Sequence, residues 1–361
     1  MRAEMRAFVT ERLHPHADAW EEAEWFPNEA FGWLAQAGYL GLRFAPAYGG
    51  AGDTPAAAVF VEELARCGSG GLAAGLGAHT GIALPPIERF GTEEQKQRWL
   101  IPGLRGELVA ALAITEPGAG SDVAGLRTRA TRVDGGWVVN GAKTFITGGV
   151  RADVLVCAVR TTDTDPQARH QGISFLLIEK GDGLTASPLR KLGWHASDTA
   201  EIAFDDVFVP AENLLGAEHG GFYLIMANFQ WERLLMALGA IGAMQACFEQ
   251  TVAFVLARGR RPGQAVRHTL ATIALEIEAG RAVTYHALRL HLAGQDAVRE
   301  VTIAKLRTQR AAFDAIDTCL GLLGLDAPAE LQRAARDARL GPIGGGTDEI
   351  MKEILGRSLG L

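Results

Sequence analysis

One carboxylate lies where a helix should be apolar. Side chains spaced by 4, 3, 4 and 3 residues from Ile225 share one helix face, and they are Phe229, Glu232, Met236 and Gly239. A carboxylate on a buried face is unfavourable unless it is paired or has a chemical role. We therefore predict that Glu232 is a general base with a raised pKa. The competing interpretation is an ion pair with Arg233, or a position at the exposed edge of the face.

Two glycine-flanked strand ends could offer polar groups to one flat ligand. "AITEPGAGSDVAGL" (113–126) and "KTFITGG" (143–149) each combine hydroxyl side chains with glycines. The first segment does not fit G-x-G-x-x-G, and no G-K-[ST] follows, so its pattern is not a nucleotide fingerprint. Taken alone, it is better explained as a plain turn. Because the second segment has the same features, we predict that the two segments together form one ligand site.

A third candidate lies near the end of the chain, in "PIGGGTDEIMKEIL" (342–355). Glycines that run into a helix N-terminus are typical of phosphate-binding turns. A glycine turn capped by Thr347, with acidic residues in the first helical turn, is equally the ordinary start of a stable helix. Both interpretations stay open on this pattern alone.

The elements that must position these groups fall into three blocks. Residues 1–107 carry helical spacing, with a capping box suggested by Thr92 and Gln95. Residues 108–215 hold short runs of β-branched residues, with hairpin-like signals at D-G-G and N-G, and they predict a small antiparallel sandwich or barrel. Residues 216–361 are helical again, in the segments 219–257, 264–293, 296–325 and a last helix from 347, which suggests a four-helix bundle.

Composition narrows the class of protein. The chain has 361 residues and a net charge of −7 without a basic block, so nucleic acid is not an expected partner. We find no apolar run as long as a membrane span, and so expect no membrane association. The four cysteines form no C-x-x-C pair, and the nine histidines show no metal-binding spacing. Buried thiols in a reducing cytoplasm are expected, and no metal.

These segments together resemble the acyl-CoA dehydrogenase family over nearly the whole chain. The matching stretches, in family-specific order and spacing, are "PAYGGAG" (46–52), "RFGTEEQKQRWL" (89–100), "TEPGAGSDVAG" (115–125), "VVNGAKTFITGG" (138–149), "KLGWHASDTAEIAFDDVFVPAENLLG" (191–216), "GFYLIMANFQWERLLMALG" (221–239), "RDARL" (336–340) and "IGGGTDEIMKEILGR" (343–357). The resemblance implies a mostly α fold with a central β domain. Its parts would be an N-terminal helical domain (1–107), a middle antiparallel β-barrel (108–215) and a C-terminal four-helix bundle (216–361).

The resemblance also implies FAD, held between the barrel loops and the bundle. Residues that match flavin-contacting positions of the family are Leu112, Thr115, Gly120, Ser121, Phe145, Thr147, Arg258, Thr347 and Glu349. Positions that match its substrate site are Ser121, Arg233, Gly345 and Gly346. Among them, Phe145 and Thr147 match the aromatic beside the ring and the hydroxyl at its N5/O4 edge, and Arg233 matches a residue near the CoA nucleotide.

The implied reaction is α,β-dehydrogenation of an acyl-CoA thioester to the trans-2-enoyl-CoA. A base takes the α-proton while the β-hydrogen leaves as hydride to flavin N5. Many family members carry that base just before the G-T of the terminal loop, where this chain has Gly345. Long-chain and isovaleryl-type members instead carry it on the bundle helix, at the position of Glu232. The helix pattern and the resemblance thus select the same residue.

Two family segments are altered, and both contribute to the flavin site of a neighbouring subunit. The R-x-x-F-G segment reads "VLARGRRPGQAVRH" (255–268), where Arg258 and Gln264 remain but F-G is lost. The Q-x-x-G-G segment reads "TCLGL" (318–322), with Thr318 and Leu322 at altered positions. The chain is therefore expected to be either the catalytic subunit of a heteromer or a homo-oligomer, dimer or tetramer, with altered flavin contacts. An electron-transfer flavoprotein is the implied acceptor. The alternative activities are a flavin oxidase or monooxygenase, and a non-catalytic partner subunit.

Overall fold

The computed structural model describes residues 1–163, 167–259 and 261–361. Its N-terminal region is helical, as predicted. The α-helices there are α1 (Arg2–Phe8), α2 (Ala17–Glu22), α3 (Glu29–Gln36), α4 (Thr54–Leu64), α5 (Gly70–Ala78), α6 (Leu84–Phe90), α7 (Glu93–Gln95) and α8 (Ile101–Leu104). The π-helical segments Val9–Leu13, His79–Ala83 and Lys96–Leu100 adjoin them. The predicted capping box is confirmed, since the Gln95 N–H donates to Thr92 Oγ1 at 3.2 Å and the Thr92 N–H to Gln95 Oε1 at 3.1 Å.

A single sheet occupies the middle region within the described residues. Its strands are β1 (Ala110–Ala113), β2 (Arg129–Val133), β3 (Gly136–Ile146), β4 (Val154–Arg160), β5 (Ile173–Glu179), β6 (Leu184–Pro188), β7 (Ala200–Pro210) and β8 (Leu214–Leu215). Their order is β6-β7-β3-β2-β4-β5-β8, with β1 beside β4. Every residue of β4 is buried, because one face packs on helices and the other on β3, β5 and β7.

The predicted antiparallel barrel is not confirmed, because the sheet is open. Its inward side chains do form a common core, so it curls around itself. No ladder closes it among the described residues: β8 is two residues long and pairs with β5, while β6 pairs with β7. The sheet is also mixed, since β1 runs parallel to β4. A curled sheet and a barrel share the same alternation of inward and outward residues, so the sequence did not distinguish them.

Of the two predicted hairpin turns, one is confirmed and one is wrong. Asp134 and Gly135 join β2 to β3 as an antiparallel pair. The N-G pair lies inside β3 instead, where the register shifts between Val139 and Gly141. Gly141 has φ of 141°, and a Cβ there would lie 2.7 Å from Thr128 Cα. This glycine therefore serves a bulge and a close approach of two backbones.

The C-terminal region is built on three long helices in the part of the chain that the structure describes. These are α9 (Gly221–Ala257), α10 (Gln264–Leu292) and α11 (Val298–Leu323), followed by α12 (Ala329–Asp337) and α13 (Asp348–Ser358). Residues from α9, α10, α11 and α12 share one apolar core. The helix α12 was not predicted, so the bundle is more complex than four successive helices.

Length and composition alone would let α9 cross a membrane, so the expectation that no apolar run is this long is wrong. This is weak evidence for a span, because the core helix of a globular domain satisfies the same criteria. Here α9 packs against α4 of the N-terminal region and against α10 and α11. It also carries Glu232 and Arg233.

Asp337 ties the three regions together. Its Oδ1 accepts a hydrogen bond from the Trp194 N–H at 2.6 Å, and its Oδ2 accepts one from the Gly70 N–H at 3.0 Å. Trp194 follows β6, Gly70 begins α5, and Asp337 ends α12. One buried carboxylate thus binds backbone groups of the sheet region and the N-terminal region at once.

We predict that Asp337→Ala lowers the free energy of unfolding by about 2–4 kcal/mol, because two backbone N–H groups lose their acceptor in a buried position. Urea denaturation followed by circular dichroism measures the change. The matched control is Asp317→Ala, whose exposed carboxylate pairs with Arg339 and should matter by less than about 1 kcal/mol. Equal effects of the two substitutions would contradict the proposed role of Asp337.

Candidate active site

Glu232 projects from α9 without a partner. Its side chain is half-buried, and among the described residues no hydrogen bond or ion pair to its carboxylate is found. Burial raises its pKa to about 7, an effect that the positive charges of Arg233 and Lys305 partly oppose. The predicted general-base character is thus consistent with the structure, whereas the alternative ion pair with Arg233 does not form.

Gly345 lies directly against this carboxylate. A Cβ built on Gly345 would lie 3.7 Å from Glu232 Oε1 and only 2.3 Å from the Met236 sulfur. The backbone of Gly345 also has φ of +61°, which favours glycine. The absence of a side chain at position 345 therefore leaves no free space beside the base, because the Met236 sulfur occupies it.

The loop that carries Gly345 is fixed by a buried lysine that the sequence analysis missed. Lys305 of α11 is fully buried, and its ammonium donates to the Gly341 carbonyl at 3.1 Å and to the Gly346 carbonyl at 2.6 Å. Gln309, one turn later, donates to the Met236 carbonyl at 2.6 Å. The helix α11 therefore holds both the loop and the helix that carries Glu232.

The start of α13 is a capped helix, as one of the two interpretations predicted. Thr347 Oγ1 accepts a hydrogen bond from the Ile350 N–H at 3.3 Å. Asp348 is buried and pairs with Arg310 of α11, whereas Glu349 is exposed. The Glu349 carboxylate accepts hydrogen bonds from its own N–H and the Thr347 hydroxyl, which lower its pKa. Thr347 and Glu349 therefore stabilise the start of this helix.

Arg233 lies at the same loop. It is buried, its Nε donates to the Gly345 carbonyl at 3.5 Å, and its guanidinium lies 5.4 Å from the centre of the Phe229 ring. A Cβ on Gly346 would lie 3.8 Å from its Nη2. Glu232, Arg233, Gly345 and Gly346 are thus brought together, as four of the predicted site residues.

A second group of predicted residues forms where the two polar loops meet. Lys143 of β3 is fully buried, and its ammonium donates to Glu116 Oε1 at 2.8 Å and to the Ile114 carbonyl at 3.0 Å. The Thr144 N–H donates to the Thr115 carbonyl at 2.9 Å. Glu116 also accepts the N–H groups of Arg127 and Thr128. The loop 113–126 is therefore attached to the strand end 143–149, as predicted, by a buried ion pair that we did not predict.

Phe145 stands out at this junction. Its side chain is 69% exposed, and its φ of 58° places a non-glycine residue in the left-handed region. Strained backbone combined with an exposed aromatic ring is typical of ligand sites. The other residues of this group that match flavin-contacting positions are at least partly accessible to solvent. Thr115, Thr147 and Leu112 are half-buried, and Ser121 and Gly120 are exposed. These residues fit a flat aromatic ligand with polar edges.

Apolar packing links the two groups. Ile114 and Ala119 share a core cluster with Ile225 of α9, and Leu112 and Phe229 pack on it. Phe229 lies one helical turn before Glu232. The orientation of the base relative to the polar loops is therefore set by this cluster.

Arg258, also predicted to bind cofactor, belongs to neither group. It caps the far end of α9, 26 residues after Glu232, so about 39 Å separate the two along the helix. Its guanidinium pairs with Asp326 at 2.9 Å and lies 5.0 Å from the centre of the Phe254 ring. Arg258 and Glu232 of one chain therefore cannot contact the same flavin ring.

The chain matches three acyl-CoA dehydrogenase domain models: the N-terminal domain over residues 1–107, the middle domain over 111–207 and the C-terminal domain over 219–360. It is 37% identical to the mitochondrial isovaleryl-CoA dehydrogenase of Solanum tuberosum, over 98% of this chain and 88% of that protein. It is 36% identical to the mitochondrial long-chain specific acyl-CoA dehydrogenase of Mus musculus, over 99% and 85%. The crystal structure of an acyl-CoA dehydrogenase from Geobacillus kaustophilus superposes with a TM-score of 0.93 at 38% identity, covering 100% of this chain and 97% of that one.

We predict that Gly345→Ala destabilises the fold by about 2–4 kcal/mol, because the new methyl group meets the Met236 sulfur and the backbone is left-handed. Adding Met236→Ala should relieve the loss of stability that is due to the clash with the sulfur. The loss that is due to the left-handed backbone should remain. Gly344→Ala is the matched control, since its Cβ would meet nothing closer than 3.6 Å and its φ is not positive. Thermal and urea unfolding of the wild type and these three variants measure this. A Gly345→Ala protein as stable as Gly344→Ala would contradict the geometry.

Proposed function

The chain belongs to the acyl-CoA dehydrogenase family, and on that premise we propose that it converts an acyl-CoA thioester to the trans-2-enoyl-CoA with Glu232 as the base. The observation that carries the proposal is the carboxylate of Glu232. It is half-buried, has no hydrogen-bond partner among the described residues, and has a pKa raised to about 7 by burial. A base is most effective when its pKa is near the working pH.

The role of the protein in proton removal follows from the neighbours of Glu232. Among the described residues no donor binds the carboxylate, so it is free to accept the substrate's α-proton. Gly345 and Met236 lie on its loop side, where a Cβ built on Gly345 would be 3.7 Å from Glu232 Oε1 and 2.3 Å from the Met236 sulfur. Arg233 and Lys305 prevent burial from raising the pKa further, so that a substantial fraction stays ionised at neutral pH.

FAD is the cofactor of this family, and when bound it accepts the β-hydrogen as hydride. The residues that we propose to hold it in this chain are those at the polar loops and the start of α13, namely Leu112, Thr115, Gly120, Ser121, Phe145, Thr147, Thr347 and Glu349. The exposed, strained Phe145 and the attachment of Thr144 to Thr115 support this assignment. We propose that Ser121, Arg233, Gly345 and Gly346 contact the substrate.

We propose that Arg258 contributes to the flavin site of a neighbouring subunit. The separation of about 39 Å from Glu232 along α9 supports a cross-subunit role. The altered segments 255–268 and 318–322 weaken that same contribution, so both a homo-oligomer and a heteromer with a related subunit remain hypotheses. An electron-transfer flavoprotein is the proposed acceptor, and a cytoplasmic location stays a prediction. The relatives do not favour the oxidase or monooxygenase alternative.

We predict that Glu232→Gln still binds FAD but is no longer reduced by substrate, because the amide cannot accept the α-proton. The measurement is anaerobic bleaching of the flavin absorbance with a panel of straight-chain and branched acyl-CoAs. A drop in the bleaching rate of at least about 10³-fold is expected. Glu249→Gln is the control, since this exposed glutamate lies on the same helix and pairs with Arg66. Bleaching of Glu232→Gln at the wild-type rate would refute the base assignment.

The oligomer hypotheses are separated by purifying the chain alone and by co-expression with related subunits. Native mass spectrometry gives the mass, and the flavin absorbance gives FAD per subunit. A homo-oligomer predicts one FAD per subunit, and Arg258→Ala should then reduce FAD content. A heteromer predicts low FAD content until a second subunit is added. Full FAD loading and turnover by the chain alone would contradict the heteromer hypothesis.

A further inference from the structure

Lys305 is a lysine on a face of α11 that is otherwise apolar or small. Its neighbours on this face include Val301, Ala304, Thr308 and Ala312, and all of them are buried. Lysine is almost never fully buried unless its charge is compensated. Lys305 is completely buried, so the groups around its ammonium must compensate its charge.

Those surroundings are the loop beside the candidate base. Two of the three ammonium hydrogens go to the carbonyls of Gly341 and Gly346, on either side of Gly345. The lysine therefore spans the loop and holds Gly345 between its two anchor points. Gly345 in turn lies close to Glu232: a Cβ built on Gly345 would be 3.7 Å from Glu232 Oε1.

Four charged side chains act on the ammonium of Lys305, and Glu232 is one of them. Glu232 and Asp348 act on the ammonium with negative charge, and Arg233 and Arg310 act on it with positive charge. Asp348 is already paired with Arg310. Glu232 has no ion-pair partner of its own in the described residues, so it is the carboxylate in this group for which a nearby cation matters most.

We propose that Lys305 is a positioning residue for Glu232: it fixes the loop 341–346 against the carboxylate, and its ammonium adds to the charge of Arg233 in favouring the ionised carboxylate. The inference rests on the proposed function for its catalytic meaning. Its structural content, a buried cation that anchors the loop beside Glu232 and acts on its carboxylate together with Arg233, does not depend on the identity of the substrate.

The direction of the effect follows from the charges. Burial raises the pKa of Glu232, and the charges of Arg233 and, to a smaller extent, Lys305 oppose that rise. Burial also lowers the pKa of Lys305 to about 8, so the ammonium is still charged where Glu232 titrates. Removal of that charge should move the protonation of Glu232 to higher pH. Because a base must be deprotonated, the acid limb of activity should move with it.

The experiment compares Lys305→Gln with Lys305→Met in the full-length holoenzyme. Glutamine removes the charge and retains a hydrogen-bond donor for the loop carbonyls, whereas methionine removes both. Arg307→Met is the matched control, because this cation lies two residues further along α11 and pairs with the distant Glu276. Infrared difference spectra against Glu232→Gln report the protonation of the Glu232 carboxyl as a function of pH without any turnover. The pH profile of kcat/KM for acyl-CoA oxidation is recorded in parallel.

We expect the wild-type carboxyl to titrate near pH 7, and both Lys305 variants to titrate about 0.5–1 pH unit higher. The acid limb of kcat/KM should shift equally, and Arg307→Met should leave both unchanged. A loss of stability or of kcat without any shift would show a purely structural role and overturn the proposal. If methionine prevents folding, the glutamine variant decides alone. If the wild type oxidises no acyl-CoA but its carboxyl still responds to Lys305, the proposed function fails and this inference stands.

Discussion

The unfavourable transfer of charge out of water governs how this protein is organised. Lys143 is buried, and it persists because Glu116 and a carbonyl satisfy it. Lys305 is buried as well and takes two loop carbonyls. In both cases the satisfied cation attaches a glycine-rich loop to a regular element, so the penalty of burial becomes a constraint on loop position. Glu232 is the exception, because its carboxylate has no partner among the described residues, and this is why we propose it as the base.

The N-terminal and C-terminal helices could largely be predicted, because their apolar spacing is long and regular. The segment 219–257 differs from α9 by two residues at its start. The sheet was less predictable. Local patterns give the strands, but closure depends on whether the end strands meet, and β6 and β8 do not. The N-G signal at Asn140 failed for a similar reason, since only the tertiary contact with Thr128 explains why glycine is required at position 141.

In the candidate site, too, some residues could be predicted from local sequence patterns and others depend on tertiary contacts. Glu232 was identifiable because a carboxylate broke a helical pattern, and Lys305 breaks the pattern of α11 in the same way. That signal is present in the sequence itself. Met236 was not identifiable, since a methionine on an apolar face indicates only core packing. The attachment of Thr115 to Thr144 could be anticipated as a pairing of two loops, but the Lys143–Glu116 ion pair depends on distances that sequence does not encode.

The Met236 sulfur occupies the space that a side chain at position 345 would need. This affects how the base could move between the helix position 232 and the loop position 345 during evolution. A carboxylate at position 345 needs a side chain on left-handed backbone, in a volume that the Met236 sulfur already fills. Moving the base from helix to loop would therefore require a change of loop conformation, a smaller residue at 236 and the loss of Glu232. A side chain at position 345 is therefore accommodated only together with a change at position 236 or in the loop backbone.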